Sequence, residues 1–188
     1  ERMLKRFGHM FLWCSQIGWL AWDGRRWSRT GADLAFGRAV QTMVRAIPQE
    51  AAALAGSDFD SVWKPETASK PAVMMSEALA QWAMASQSAS KVNCIENLAR
   101  GHLAIDKAQL DADPDKLNVL NGTLVLNGQG EQLFTFRPHD PADLMTRLAG
   151  IHYDPAATAP VFDGFMASIQ PEMADRQYLQ RHAGSCLT

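Results

Sequence analysis

Few residue groupings in this chain have types and spacing that could do chemistry. His139 and Asp140 are adjacent in "FRPHDPADL" and form an acid–base pair on paper, although an aspartate followed by Pro141 is also a helix-capping pattern. Asp111, Asp113 and Asp115 in "DADPD" make the densest acidic cluster. They lack the spacing and terminal glutamate of a calcium loop, so a solvated turn is expected. Ser185-Cys186 follows His182, but no supporting carboxylate accompanies them, and a buried structural cysteine is the simpler expectation. Gly128–Gly130 ("GQG") carries no phosphate-loop lysine, and no dinucleotide fingerprint occurs. The five histidines are isolated and the three cysteines lie far apart, so no metal spacing is present. What remains is "WLAWDGRRW" over Trp19 to Trp27, where tryptophans and arginines interleave as they do in single-stranded nucleic-acid platforms.

The bulk numbers restrict these readings. The chain has 188 residues and a formal net charge of −2, which by itself points to neither nucleic acid nor membrane. The charge is uneven: residues 1–50 sum to +4 and the remainder to −6. The basic end is the end with the tryptophans. Sparse cysteines fit a reducing, cytoplasmic compartment, and no apolar run reaches the roughly 20 residues of a membrane span. The chain opens at Glu1 and stops at "GSCLT", and it reads as a piece of a longer protein.

The elements that must position these residues are mostly helical. "ERMLKRF" reads as the end of a helix. "MFLWCSQIGWLAWDGRRWSR" has strand character, with Asp23-Gly24 as a two-residue hairpin turn. In a type I′ register Trp22 pairs with Arg25 and Leu20 with Trp27. Leu20, Trp22 and Trp27 then share an apolar face, and Trp19, Ala21 and Arg26 take the outer one. Leu34, Ala35, Ala39, Val40, Met43 and Ile47 recur at helical spacing after Thr30-Gly31, with a kink or restart expected at Pro48 and a stop at Gly56. "SDFDSVWKPETASKP" reads as a connection. Residues 72–101 read as helix in two pieces, with Ser88 as the second N-cap and Met75, Leu79, Trp82 and Ala83 as a core stripe continued by Ile95 and Leu98. A second hairpin is expected from Val119 to Phe136 around "NGQGE", then an Asp140-capped turn, an extended piece to Tyr153, and two closing helices. The class is α+β, mostly helical with two small antiparallel hairpins. It forms a single module over 1–188 with a sub-boundary near 102–117.

The order of four motifs suggests a family. Trp22-Asp23-Gly24 is followed by Asn121-Gly122 with Leu124 and Leu126, then by Pro138-His139-Asp140-Pro141, then by a helix carrying Leu179-Gln180-Arg181. In that order they resemble the module preceding the motor in phage- and plasmid-type primase–helicases, the group related to the poxvirus primase–helicase. The segment at Gln129 departs from the shorter turn usual there. The resemblance implies a non-catalytic collar or adaptor that supports ring assembly or guides DNA, beside primase and helicase domains of a hexameric parent. ATP and magnesium would belong to the parent's motor, and no cofactor to this chain. If DNA is bound, Arg25, Arg26 and Arg29, with Lys5 and Arg6, are the candidate contacts. The alternatives are a small stand-alone enzyme with an unrecognised site and a scaffold with no DNA role.

Overall fold

A computed structural model describes residues 1–126 and 134–185. The expected "NGQGE" turn and Cys186 lie outside them. The chain divides into two compact units: Glu1–Trp22 with Ser28–Lys107, and Asp23–Trp27 with the chain from Ala108 onward.

The first unit holds α1 (Arg2–Phe7), β1 (Phe11–Cys14), β2 (Gly18–Trp22), β3 (Trp27–Ser28, re-entering at Ser28), α2 (Ala32–Leu54), β4 (Val62–Lys64), β5 (Val73–Met74), α3 (Met75–Ser86) and α4 (Ala89–His102). Its core lies along α2, where Phe36, Val40, Met43, Val44 and Ile47 recur at helical spacing and are buried. β1 and β2 are separate strands, not one run. Ile17 N–H bonds the Cys14 carbonyl, Gly18 takes φ 99°, and Phe11 then pairs with Ala21 and Trp13 with Trp19. That register corrects the expected faces. Phe11, Trp13, Trp19 and Ala21 pack toward α2, so the face expected to lie outside is a core face. Leu20 is buried as well, while Trp22 is only half-buried.

Trp19 stacks on Phe36 at 3.9 Å between ring centroids and 14° between planes. Its indole N–H donates to Glu96 Oε1 at 3.3 Å. Glu96 also takes Arg100 at 2.7 Å, and the Arg100 guanidinium lies 4.3 Å over the Trp13 ring.

α2 runs through Pro48 without a restart, because Ile47 and Ala51 continue its buried stripe past the missing N–H. It ends before Gly56, which takes φ 71°. The expected connection at 57–71 contains β4, which pairs antiparallel with β5. Asp60 reaches from that segment to α3, accepting from Ser76 N–H at 3.0 Å and Ser76 Oγ at 2.7 Å. The buried face of α3 is Ser76, Ala83 and Ser86, with Leu79 half-buried beside it. Trp82 is half exposed with Arg2 over its ring at 5.2 Å, and Leu98 on α4 points outward. Of the expected stripe, Ala83 is in the core and Leu79 and Ile95 pack against it, Met75 is half-buried, and Trp82 and Leu98 turn outward; small residues win the closest contact because they let α3 approach α2. Ser88 occupies the N-cap position of α4 as expected, but its side chain caps no N–H of that helix; the hydroxyl donates back to the Ala85 carbonyl at 3.0 Å.

The second unit holds β6 (Lys116–Val119), β7 (Gly122–Leu126), β8 (Phe134–Arg137), a 3-10 turn at Pro141–Asp143, α5 (Pro160–Ile169) and α6 (Met173–Ser185). β6, β7 and β8 form an antiparallel meander, with Val119 opposite Gly122 and Leu126 opposite Phe134. The fold is α+β, with three small antiparallel sheets. Gly122 is required by close approach: a Cβ there would meet the Arg137 carbonyl and the Phe136 ring at 2.6 Å. Gly122→Ala is expected to cost about 1–3 kcal/mol by overpacking the sheet, read as a lowered denaturation midpoint.

Candidate functional site

One motif residue, His139, and two residues that directly follow other motifs, Arg25 and Thr123, join a buried polar cluster in the second unit. Asn118, on the inward side of β6 and 3% exposed, is its centre. Its amide nitrogen donates to the Arg25 carbonyl at 2.9 Å and the Arg147 carbonyl at 3.2 Å. Its oxygen must therefore be the acceptor for Thr123 Oγ1 at 3.4 Å and His139 Nδ1 at 2.8 Å. His139 Nδ1 is therefore the donor in that bond. Asn118's own carbonyl takes the Ala149 N–H at 2.8 Å. Asn121 forms a reciprocal pair with the Tyr153 backbone, at 2.9 Å in each direction.

The Asp23–Arg26 turn is anchored into this unit. Asp23 Oδ1 accepts from the N–H groups of Arg25 at 2.8 Å and Arg26 at 2.9 Å, and Asp23 N–H bonds the Arg26 carbonyl at 3.1 Å. Gly24 and Arg25 are the central residues, and only Gly24 has positive φ, at 92°. The turn therefore sits one residue later than the expected type I′ register. The reason is the aspartate side chain, which captures the following N–H groups and keeps Asp23 itself in an ordinary conformation. Trp27 is 4% exposed, donates its indole N–H to the Pro141 carbonyl at 2.8 Å, and donates its backbone N–H to Met145 at 2.8 Å.

The candidate chemistry resolves into support for the backbone. His139 and Asp140 do not act on one another: Asp140 Oδ1 caps the Ala142 N–H at 2.8 Å, as its position before Pro141 predicts. Asp111 is not a solvated turn residue. Its carboxylate accepts from the Thr146 N–H at 2.7 Å and from the Thr146 hydroxyl. Asp113 caps the Asp115 N–H at 3.1 Å and pairs with Lys116 at 3.0 Å. Among the described residues no group of three or more His, Cys, Asp or Glu gathers to hold a metal.

Asn118, Thr123 and Asp143 are central to this arrangement and carry no motif signal. The one clue is a polar residue at an inward position of an apolar strand, "KLNVL". Asp143 has a side chain only 6% exposed, held by Arg137 at 2.6 Å and Lys116 at 3.0 Å. Burial alone would push its carboxyl up, but the bonds from Arg137 and Lys116 outweigh it and hold it below the ordinary carboxylate range. A carboxylate lowered in this way stabilises the fold above its unfolded value, and that contribution is lost as pH falls through the folded value. Asp143→Asn is expected to cost about 3 kcal/mol at neutral pH. It should also flatten the loss of thermal stability on acidification below about pH 4, which melting curves across pH would show.

The candidate DNA contacts fall in different surroundings. Arg25 and Arg29 are exposed. Arg26 is half-buried, with Nε 3.6 Å from Asp23 and an Nη 3.5 Å from the Thr146 carbonyl, so it does not lie on an outer face. On α1, Lys5 pairs with Glu1 at 3.1 Å and Arg6 with Glu50 at 2.6 Å. Leu179, Gln180 and Arg181 lie on α6, where Arg181 donates to the Gln177 carbonyl one turn back at 3.2 Å.

α5 and α6 present an exposed apolar surface. Val161, Phe162, Phe165, Ile169, Met173 and Tyr178 are each more than half exposed. A groove of about 710 Å³ is lined from both helices, with Phe162, Met166, Met173 and Leu179 among its walls. No described helix is long and apolar enough to cross a membrane.

No curated protein matches the chain. A family model described as D5 N terminal like matches residues 1–171. That match covers the first unit and the second as far as α5, with the buried cluster and the motif segments through Pro141; α6, with Leu179, Gln180 and Arg181, lies beyond it. The chain belongs to the D5 N-terminal-like family, the N-terminal module of poxvirus-type primase–helicases.

Proposed function

We propose that the chain is a non-catalytic collar or adaptor of a DNA primase–helicase, supporting ring assembly and guiding DNA beside a motor that uses ATP and magnesium. The observation that carries this reading is the exposed apolar face of α5 and α6. Phe162, Phe165 and Ile169 recur at helical spacing on α5, yet they stand in solvent where a folded unit of its own would bury them. A partner surface is the physical use of such a face, and in a ring the partner is a neighbouring subunit.

The buried cluster supports the same reading, because Asn118, His139, Asp140 and Asp111 are all engaged in holding loops. Arg25 and Arg29 supply exposed charge for DNA. Sedimentation equilibrium tests the assembly role. The wild-type chain should associate with rising concentration, and Phe162→Glu/Phe165→Glu should remain monomeric with an unchanged fold. Equal masses for the two proteins at every concentration would remove the face from assembly.

A further inference from the structure

We infer that the outer face of α2, together with the groove beside the start of α4, binds the phosphodiester backbone of single-stranded DNA; this rests on the reading of the module as DNA-guiding. Three of the six arginines of the first unit are tied to carboxylates. Arg2 and Arg6 share Glu50, and Arg100 holds Glu96. Arg38 and Arg45 differ: both are exposed, and neither makes an ion pair among the described residues. They lie seven residues apart on α2, two turns, so one helix face carries two cations roughly 10 Å apart. Gln41 lies between them on the same exposed stripe.

The two carboxylates of α2 do not neutralise that stripe. Asp33 and Glu50 sit about 120–140° around the helix from both arginines, at 3.6 residues per turn, and Glu50 is occupied by Arg2 and Arg6. Beside Arg45 runs a groove of about 400 Å³, lined by Gln41, Val44, Arg45, Gln87, Val92 and Asn93. Its lining contains three amides, one guanidinium and no carboxylate. Lys91, exposed in the first turn of α4, adds charge close by in sequence. Cations with neutral donors and no acid are the chemistry that holds a phosphate chain without reading its bases.

The experiment is fluorescence anisotropy of labelled oligothymidine with the whole chain over a potassium chloride series. Each phosphate contact on a single strand contributes about 0.7 to the slope of log affinity against log salt. Arg38→Ala/Arg45→Ala should lower affinity at low salt at least about tenfold and flatten the slope by about 1.4, two contacts' worth. Arg38→Lys/Arg45→Lys should keep most of the slope, because the charges remain. Both side chains are exposed, so melting midpoints should be unchanged, and Arg38→Gln/Arg45→Gln repeats the test with longer polar side chains. If the alanine pair binds as wild type does while Arg25→Ala/Arg29→Ala loses binding, the α2 site is wrong and the DNA reading stands. If the wild-type chain fails to bind at low salt, both fall.

Discussion

Trp19→Ala should be the most damaging single substitution in the first unit, with a loss of about 3–5 kcal/mol in denaturant unfolding. The ring is 1% exposed, stacked on Phe36, and edge-on to Phe11 at 6.4 Å and Trp13 at 5.1 Å. Removing it opens a cavity under β2 that α2 cannot close, because Val40, Met43 and Ile47 already fix that helix in the core. It also removes the indole donor from Glu96. Trp19→Phe keeps the stacking and loses the donor, so it should recover more than half of the loss. By contrast, Trp22 is half-buried, and Trp22→Ala should cost less than Trp19→Ala. Equal losses at the two positions would contradict the packing described for β2.

Asn118→Ala is the corresponding prediction for the second unit. One side chain supplies both donors to the Arg25 and Arg147 carbonyls and the acceptor for His139 and Thr123. Leaving buried polar groups without partners costs about 1–3 kcal/mol each. Water can reach Arg25 more readily than Thr123, which is 1% exposed, so a total of about 3–5 kcal/mol is expected. Asn118→Asp is more informative still. It keeps the shape, but it turns a donor into an oxygen facing two carbonyls, and it should be at least as harmful as alanine. Hydrogen exchange should show the effect first at Ala149, whose N–H is held by the Asn118 backbone. An Asn118→Asp protein of wild-type stability would overturn the assigned amide orientation.

Much of the architecture was legible because local chemistry and fold agree. The apolar stripe of α2 from Ala39 to Ile47, the Asp140-Pro141 turn and the closing pair of helices follow from residue type and spacing, whereas Leu34, expected on that stripe, is 69% exposed, and Ser88 holds the N-cap position of α4 without a side-chain cap. The errors have physical causes. β1 and β2 are both rich in large apolar residues, so the turn at Ser15–Ile17 leaves little mark, and β2 is covered on both faces, with Trp19 and Leu20 both buried, where only one apolar face was expected. Asp23-Gly24 carries a hairpin signal, but the carboxylate of Asp23 moved the turn by one residue. The pairing of β4 with β5 was hidden because its strands are only three and two residues long. The buried cluster was least legible. Asn118, Thr123 and Asp143 are meaningful only through partners 5 to 93 residues away in the chain, and no short pattern encodes that.

The central claim is that the motif residues serve architecture and assembly rather than catalysis. Its most direct test is turnover by the chain alone: ATP hydrolysis, strand separation and primer synthesis, each measured with magnesium present. The account predicts rates indistinguishable from the blank, for the wild type and for His139→Ala and Asp140→Ala alike. Turnover by the wild-type chain that disappears in either variant would contradict it.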